Sequence, residues 1–350
     1  MGKNIKIYSM EDKEIDNIIE SLKKTFIKIS EKISYNNPFT MSDIVSTNES
    51  NDDVKKLDIL SNDYIIEELS KNSNIKVLAS EENSDLIYTD NKDGKYFVTF
   101  DPLDGSSNID SNITIGTIFG IFTAENIEKC NLGDSIVAAG YCLYGGSTQL
   151  VYTKKDKIPV VNYYLLNNTK DFIKISELKI PKKGKIYAIN ESNKYIWFNN
   201  QKYKDLVDAF INTNYTLRWV GSLVADAHRT IIKGGFFSYP ADTKQCGKLR
   251  LLYEAIPFCF IIEQAGGKSY LDDDLSDWKN TKFPDNIHLK TPLILAGEEE
   301  DKLIKKIFNY KKLKLIVPCL DFSDLDKKVD DVPLAPRANS SREGFINESC

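Results

Sequence analysis

The stretch Lys95-Tyr-Phe-Val-Thr-Phe-Asp-Pro-Leu-Asp-Gly-Ser-Ser-Asn-Ile109 constrains the fold more than any other part of the chain. Tyr96 to Phe100 is a short aromatic and β-branched run, the pattern of a buried strand. Asp101 ends the run, and Pro102, with φ fixed and no N–H, is expected to stop the ladder. Asp101 and Asp104 then lie at the carboxyl end of a strand and on the loop leaving it, the edge where α/β sheets bind ligands. Two carboxylates three residues apart on such a turn can converge on one hard cation, with the Leu103 carbonyl as a third oxygen. Gly105-Ser106-Ser107 follows at once, and a turn of small residues exposes backbone N–H groups to a phosphate. Asp-Gly-Ser-Ser-Asn can equally supply an Asx-turn and a helix N-cap, so the stretch alone leaves both readings open.

At 350 residues the chain can bury a large core, and two domains are expected. A net charge of -5 gives no general case for nucleic acid as a partner. No apolar run approaches the roughly 18 residues of a membrane span, and the N-terminus lacks a secretory core, so the expected compartment is the cytoplasm. Cys130, Cys142, Cys246, Cys259, Cys319 and Cys350 form no C-x-x-C pair and read as reduced thiols. His228 and His288 are the only histidines, which leaves no multi-histidine metal site.

Ile15, Ile18, Ile19, Leu22, Phe26, Ile29 and Ile33 recur at three- and four-residue spacing, one face of a helix over residues 11–33. Asn36 to Asp53 reads as a polar, mobile loop, and a second helix opens at Val54 and runs to about Leu69. Ile75 to Ser80 is a strand with Glu81-Glu82 at its end. Such a pair is commonly solvated, but its place before the hairpin into Asp101 favours a cavity. Strands follow at 108–122, 136–144, 148–153 and 160–166, then a polar connection over Lys170–Lys183. A boundary near Gly184 would separate an N-terminal α/β domain (1–183) from a C-terminal one (184–318). From Cys319 the charged, Ser/Pro-rich chain reads as a disordered or extended tail. The second half holds a strand at Lys185–Asn190, helices at Tyr203–Ile211 and Leu223–Lys233, and a strand at Phe236–Tyr239. A helix then begins in Gly247-Lys-Leu-Arg-Leu-Leu-Tyr-Glu254, with Arg250 and Glu254 on one face. A strand at Pro292–Gly297 and a helix at Glu298–Phe308 close it.

Asp52, Asp58, Glu81, Glu82, Asp101, Asp104 and Glu254 come from four separate stretches. They can share a pocket only around cations, because like charges at a few ångströms repel strongly at low dielectric. Oxygen ligands without histidine select Mg2+ or Mn2+, two or three ions per site, and Arg250 and Lys248 can balance a phosphate. Asp101-Pro-Leu-Asp-Gly-Ser-Ser-Asn108, followed by Gly116-Thr-Ile-Phe-Gly120, resembles the metal-binding signature of the class I fructose-1,6-bisphosphatases. These belong to the wider magnesium-dependent, lithium-sensitive sugar and inositol phosphatases. Val54-Lys-Lys-Leu-Asp-Ile-Leu-Ser-Asn62, Ser80-Glu-Glu82 and Gly247–Ala255 carry the same resemblance, which covers about residues 10–310.

The resemblance implies a layered αβαβα sugar-phosphatase fold, with the active site between two halves. The implied reaction is Mg-dependent hydrolysis of the 1-phosphate of a ketose bisphosphate, with fructose 1,6-bisphosphate first and sedoheptulose 1,7-bisphosphate as the alternative. Glu81, Asp101, Asp104 and Glu254 look like the metal ligands, assisted by the Leu103 carbonyl and Asp52. Glu82 and Asp58 look like the pair that orients and deprotonates the attacking water. Gly105, Ser106, Ser107 and Arg250 would hold the 1-phosphate, and Asn190, Arg218, Tyr239 and Lys248 the far end. Arg218 would be donated across a homodimer or homotetramer interface.

Departures from the pattern concern substrate length and regulation. Trp219 stands where many relatives have tyrosine, and an indole donates but cannot accept. Ser192 replaces the glycine of the usual Asn-Glu-Gly turn. No Thr-Gly-Glu-Leu-Thr-like AMP turn occurs in residues 1–40, although Lys95-Tyr96 matches another part of that effector site, so weak or absent AMP inhibition is expected. The closely spaced cysteines of the light-regulated plastid enzymes are missing as well, which argues against thioredoxin control. A non-catalytic sugar-phosphate-binding protein is the competing class. Such a protein usually lacks a ligand or the base, whereas none of the seven acids is missing here.

Overall fold

The computed structural model describes residues 10–35, 41–47, 53–155, 159–191, 200–241 and 247–316. Asp52, Ser192 and the tail from Cys319 lie outside them. Helix α1 (Met10–Tyr35) buries Ile15, Ile18, Ile19, Leu22, Phe26 and Ile29, the face that its periodicity predicts. In the segment that reads as loop, β1 (Ile44–Thr47) and β2 (Asp53–Lys55) pair antiparallel. Ile44 and Val45 are exposed, so this ribbon leaves no core-facing pattern to detect. Helix α2 (Lys56–Ser70) starts two residues later than Val54. The Asp58 carboxylate accepts the Lys55 backbone N–H at 2.7 Å, satisfying a donor that a helix start leaves open.

Eight strands follow: β3 (Ile75–Ser80), β4 (Ile87–Tyr88), β5 (Tyr96–Asp104), β6 (Ile115–Thr123), β7 (Ile136–Tyr144), β8 (Thr148–Lys154), β9 (Val160–Leu166) and β10 (Asp171–Leu178). They form one sheet in the order β10-β9-β8-β7-β6-β5-β3-β4, with β3 parallel to β5 and all other pairs antiparallel. β10 corrects the polar connection expected over Lys170–Lys183. It is an edge strand with Ile173 and Ile175 exposed, so its residues lack the inward alternation that marks a half-buried strand.

Apart from three helical turns of three or four residues, the remaining elements are β11 (Ile186–Ile189), α3 (Gln201–Asn212), β12 (Thr216–Leu217), α4 (Leu223–Lys233), β13 (Phe236–Tyr239), β14 (Leu249–Arg250), the turn Leu251–Ala255, α5 (Ile256–Gln264), β15 (Lys268–Tyr270), β16 (Lys290–Thr291), β17 (Leu293–Ala296) and α6 (Glu298–Ile316). The second sheet has the order β12-β11-β13-β17-β15, and β14 pairs separately with β16. Both sheets belong to one compact unit that ends at Phe308; Asn309 begins another, whose described part is the end of α6.

Side-chain parity shows the layers. Tyr96, Val98 and Phe100 of β5 pack in one core with α1 and α2, whereas Phe97 joins a second core containing Leu223, Val224 and Ala227 of α4 and Phe258, Cys259 and Ile262 of α5. Phe237 and Leu295 of the smaller sheet reach the same second core from the other side, and their neighbours Phe236 and Ile294 face a third with Phe210 and Ile304. The order is therefore helices, eight strands, helices, five strands, helices. Strands covered on both faces read as continuous apolar runs, which is why β5 to β7 show so little alternation.

Two expectations need correction near the site. The ladder does not stop at Pro102: β5 runs on to Asp104, with its register shifted between Asp101 (opposite Ile118) and Asp104 (opposite Gly116). Pro102 fits there because a bulge does not demand its missing N–H. Arg250 and Glu254 do not share a helical face either. Arg250 is extended (φ -81, ψ 137), and a single π-helical turn, Leu251–Ala255, separates it from α5.

Phe26 is fully buried and its ring lies 6.0 Å from that of Phe119, so it couples α1 to the large sheet. Phe26→Ala should cost about 3–5 kcal/mol of unfolding free energy, read from the urea midpoint, and a loss below about 1 kcal/mol would contradict this packing.

Candidate active site

On a regular strand, residues three apart point to opposite faces. The bulge at Pro102 adds one residue to β5 and restores the parity. Carboxylate oxygens of Asp101, Asp104 and Glu254 consequently lie within 4.8 Å of one another. Glu254 arrives from the π turn, where an extra residue per turn aims it back at the strand end.

Each acid is held by donors. Asp101 Oδ1 accepts from Leu103 N at 2.9 Å. Asp104 Oδ2 accepts from Ser222 Oγ and from Val224 N at the start of α4, both at 2.8 Å. Glu254 Oε2 accepts from Arg250 N at 2.5 Å. Gly105 adopts φ +79, and a Cβ there would meet the Ser222 Cβ at 2.6 Å, so glycine is required where this turn passes α4.

Burial and crowding set the electrostatics. Asp101 and Glu254 are each 3 % exposed. Burial, then the neighbouring carboxylates Glu81, Asp104 and Glu254, raise the Asp101 pKa well above the ordinary range. Burial pushes Glu254 up to about 8, with Arg250 opposing, and Asp104 up to about 6, against the hydrogen bonds from Val224 and Ser222. Asp58 rises to about 7, again chiefly by burial. Asp101, Asp104 and Glu254, three acids that resist ionisation in one place, form a set suited to divalent cations, which can replace protons as the compensating charge.

A cavity of about 400 Å³ opens on this cluster. Glu81 and Glu82 line it, as do Leu103, Gly105, Ser106, Ser107, Tyr239, Lys248 and Arg250. Glu81 Oε1 pairs with Arg250 Nη2 at 2.7 Å, which brings an expected metal ligand and an expected phosphate ligand into direct contact. Asp58 is buried behind the lining residues, within reach of the Ser106 hydroxyl. Asn190 also lies outside the lining and donates to the Tyr239 hydroxyl at 2.8 Å, fixing that side chain from behind. Arg218 is exposed and does not line the cavity of its own chain; its Nη1 donates to the Leu217 carbonyl. Asp52 lies outside the described residues.

Three further residues, not singled out by the sequence, bear on the site. Lys55 lines the cavity and donates from Nζ to the Ser106 carbonyl at 2.9 Å, adding positive charge beside the Gly105–Ser107 turn. Ser222 anchors Asp104. Asp226 accepts the Val220 and Gly221 N–H groups and so shapes the loop that covers the turn. Lys55 sits inside a matching block, and Asp58 three residues on marks the helix start. Ser222 and Asp226 gave no sequence signal, because their partners lie more than a hundred residues away or in the adjoining loop.

The chain matches the family description "Fructose-1-6-bisphosphatase, N-terminal domain" over residues 3–177 and the corresponding C-terminal domain over residues 180–309. It is 45% identical over 267 residues to the class 1 fructose-1,6-bisphosphatase of Sulfurihydrogenibium sp. (strain YO3AOP1), covering 73% of this chain and 79% of the relative. It is 43% identical over 289 residues to fructose-1,6-bisphosphatase 1 of Mus musculus, covering 77% and 82%. The Leishmania major fructose-1,6-bisphosphatase crystal structure in holo form superposes with a TM-score of 0.78 at 32% identity, over 84% of this chain and 94% of that one. The matched relatives and the shared layered fold make this chain a phosphoric monoester hydrolase. The chain belongs to the fructose-1,6-bisphosphatase family.

The raised carboxylate pKa values fix the sign of a stability change. A carboxyl group whose folded pKa exceeds its unfolded value binds more protons in the folded state, so its contribution is complete below the unfolded pKa and is lost as pH rises through the folded pKa. With Asp104 at about 6, Asp58 at about 7 and Glu254 at about 8, metal-free protein should lose thermal stability between pH 5 and pH 8. Added Mg2+ should raise the melting temperature more at pH 8 than at pH 5. A metal-free melting temperature that is flat over this range would contradict the charge crowding.

Proposed function

We propose that the protein hydrolyses the 1-phosphate of a ketose bisphosphate with Mg2+ or Mn2+, two or three ions per site, and that its substrate is fructose 1,6-bisphosphate. The observation that carries this reading is the convergence of Asp101, Asp104 and Glu254 beside the Gly105–Ser107 turn, in one cavity with Lys55, Lys248 and Arg250. Bound divalent cations would neutralise the carboxylates and the phosphate and lower the pKa of water. Glu81, Asp101, Asp104 and Glu254 would hold them, with the Leu103 carbonyl.

The protein's own groups do the remaining work. Backbone N–H groups of Gly105 and Ser106 and the cations of Arg250 and Lys55 orient the scissile phosphate. Glu82 and Asp58 together orient and deprotonate the attacking water. A pKa of about 7 at Asp58 suits proton transfer near neutral pH. Tyr239 and Lys248 face the far end of the sugar. Trp219 lies parallel to Phe237 (centroids 6.1 Å apart) and edge-on to Tyr239 (5.6 Å), so an aromatic wall lines that end. This wall, with its indole in place of a phenol, is the reason to test sedoheptulose 1,7-bisphosphate beside the six-carbon substrate.

Arg218, exposed and outside its own cavity, is available to a second copy, and a homodimer or homotetramer is the proposed assembly. Among the described residues no helix is long and apolar enough to cross a membrane. With that and relatives named as cytosolic enzymes, such as that of Brassica napus, we place the protein in the cytoplasm.

Phosphate release from both bisphosphates, with and without Mg2+, tests the reading. Release should require the metal and favour fructose 1,6-bisphosphate; metal-independent release, or none from either, would reject it. Glu82→Gln should lower kcat by at least about 10²-fold while bisphosphate still binds, and full activity would remove Glu82 as the base. AMP should inhibit weakly or not at all. Glu14 Oε1 pairs with Lys95 Nζ at 2.7 Å, and Glu14 Oε2 accepts from the Tyr96 hydroxyl at 3.2 Å, so a carboxylate already occupies donors that a nucleotide phosphate would need. Complete inhibition by micromolar AMP would overturn this.

A further inference from the structure

Two turns with acidic side chains, Glu81-Glu82 and Leu251–Ala255, come from the two halves of the sequence, and one imidazole bridges residues of and beside them. His288 Nδ1 lies 2.5 Å from the Tyr253 hydroxyl, and His288 Nε2 lies 3.1 Å from the Asn83 carbonyl oxygen. A carbonyl only accepts, so Nε2 carries the hydrogen; Nδ1 of the neutral ring then accepts from Tyr253. The two partners therefore assign one tautomer and one ring orientation.

The bridge is anchored on both sides. β16 pairs with β14, Arg250 opposite Lys290, and Leu251 N donates to the Leu289 carbonyl, which holds the His288 segment against the π turn. Tyr253 is fully buried and directly precedes Glu254. Asn83 directly follows Glu82, and its Oδ1 accepts from Asn62 Nδ2 at 2.9 Å. Asn62 Oδ1 in turn accepts from Ser80 Oγ at 2.6 Å, and Ser80 Oγ accepts from Glu82 N at 3.2 Å. The Glu81-Glu82 turn is thus tied to α2 through Asn62 and to the Glu254 turn through His288. Arg250 already joins Glu81 to Glu254 from within the cavity, and His288 adds a second link that acts on Asn83 and Tyr253, the neighbours of Glu82 and Glu254.

We infer that His288 is a positioning residue for the hydrolytic site: it holds the Glu81-Glu82 turn in register with Glu254. The inference rests on the hydrolase reading above and concerns a residue that touches neither phosphate nor the clustered acids. Removing a group that orients metal-holding side chains typically lowers metal affinity or activity 10–100-fold. His288→Ala should therefore lower kcat by about tenfold or more and weaken Mn2+ binding, measured by calorimetry without substrate, to a similar degree. KM for fructose 1,6-bisphosphate should change less than about twofold, since the groups facing the far end of the sugar are untouched. His288→Gln, whose amide can still donate to the Asn83 carbonyl, should recover most of both losses. Tyr253→Phe, which keeps the ring and removes the donor to Nδ1, should reproduce part of the His288→Ala effect.

Unchanged kcat and Mn2+ affinity in His288→Ala would overturn the inference. So would equal losses in His288→Ala and His288→Gln accompanied by a lowered melting temperature in both, the mark of a purely structural residue. If the unmodified protein released no phosphate, the hydrolase reading would fail, and the Mn2+ titrations of the same variants would still decide the role of His288.

Discussion

Buried negative charge, gathered faster than the fold itself can neutralise it, is the constraint on which this structure turns. Asp101, Asp104 and Glu254 are each less than a tenth exposed, and their oxygens approach within 4.8 Å. Such a cluster opposes folding unless something compensates it, because desolvation and mutual repulsion act in the same direction. The chain supplies partial compensation by aiming N–H donors at each acid: Leu103 N, Val224 N and Arg250 N, joined by the Ser222 hydroxyl. Val224 N adds the positive end of α4, an eleven-residue helix that begins beside Asp104. What remains unneutralised is the driving force for cations.

That requirement explains the central helical layer. α4 and α5 lie between the two sheets, and each brings its start to the strand end that carries the acids. A single sheet with helices on one side would place Asp101 and Asp104 at an open edge, solvated and separately ionised. With a helix start and a π turn closing over them, the same carboxylates become buried and coupled. Arg250 sits at the junction: its backbone N–H holds Glu254, while its guanidinium holds Glu81. One residue thereby links two acids that lie 173 positions apart in the chain (254 - 81).

Two local irregularities do most of the aiming. The bulge at Pro102 turns Asp101 and Asp104 to one side, and the π turn directs Glu254 toward them. Both are departures from regular geometry of a kind that concentrates at functional sites. Pro102 suits the bulge locally, whereas Leu251 to Ala255 contains no residue that favours a π turn over an α turn. The large sheet and the β14–β16 pair hold them.

The primary structure by itself determined the elements whose signal is local. Helix α1 followed from apolar spacing, α4 and β13 from apolar runs ended by Gly234-Gly235 and Pro240, and the acid-rich turn from Asp101 to Ser107 from its own residues. It also named the candidate acids, seven carboxylates without histidine partners, of which the structure brings Asp101, Asp104 and Glu254 within 4.8 Å of one another. The ribbon β1–β2 and the edge strand β10 were not legible, since exposed strands owe their state to a neighbour rather than to their own pattern. Tertiary structure alone decided that Pro102 lies in a bulge, that Arg250 precedes the helix instead of riding on it, and that Ser222, Asp226 and His288 serve the site. The physical reason is common to all of these: a hydrogen bond or a strand register between residues far apart in the chain leaves no periodicity to read, because it exists only once burial has brought the partners together.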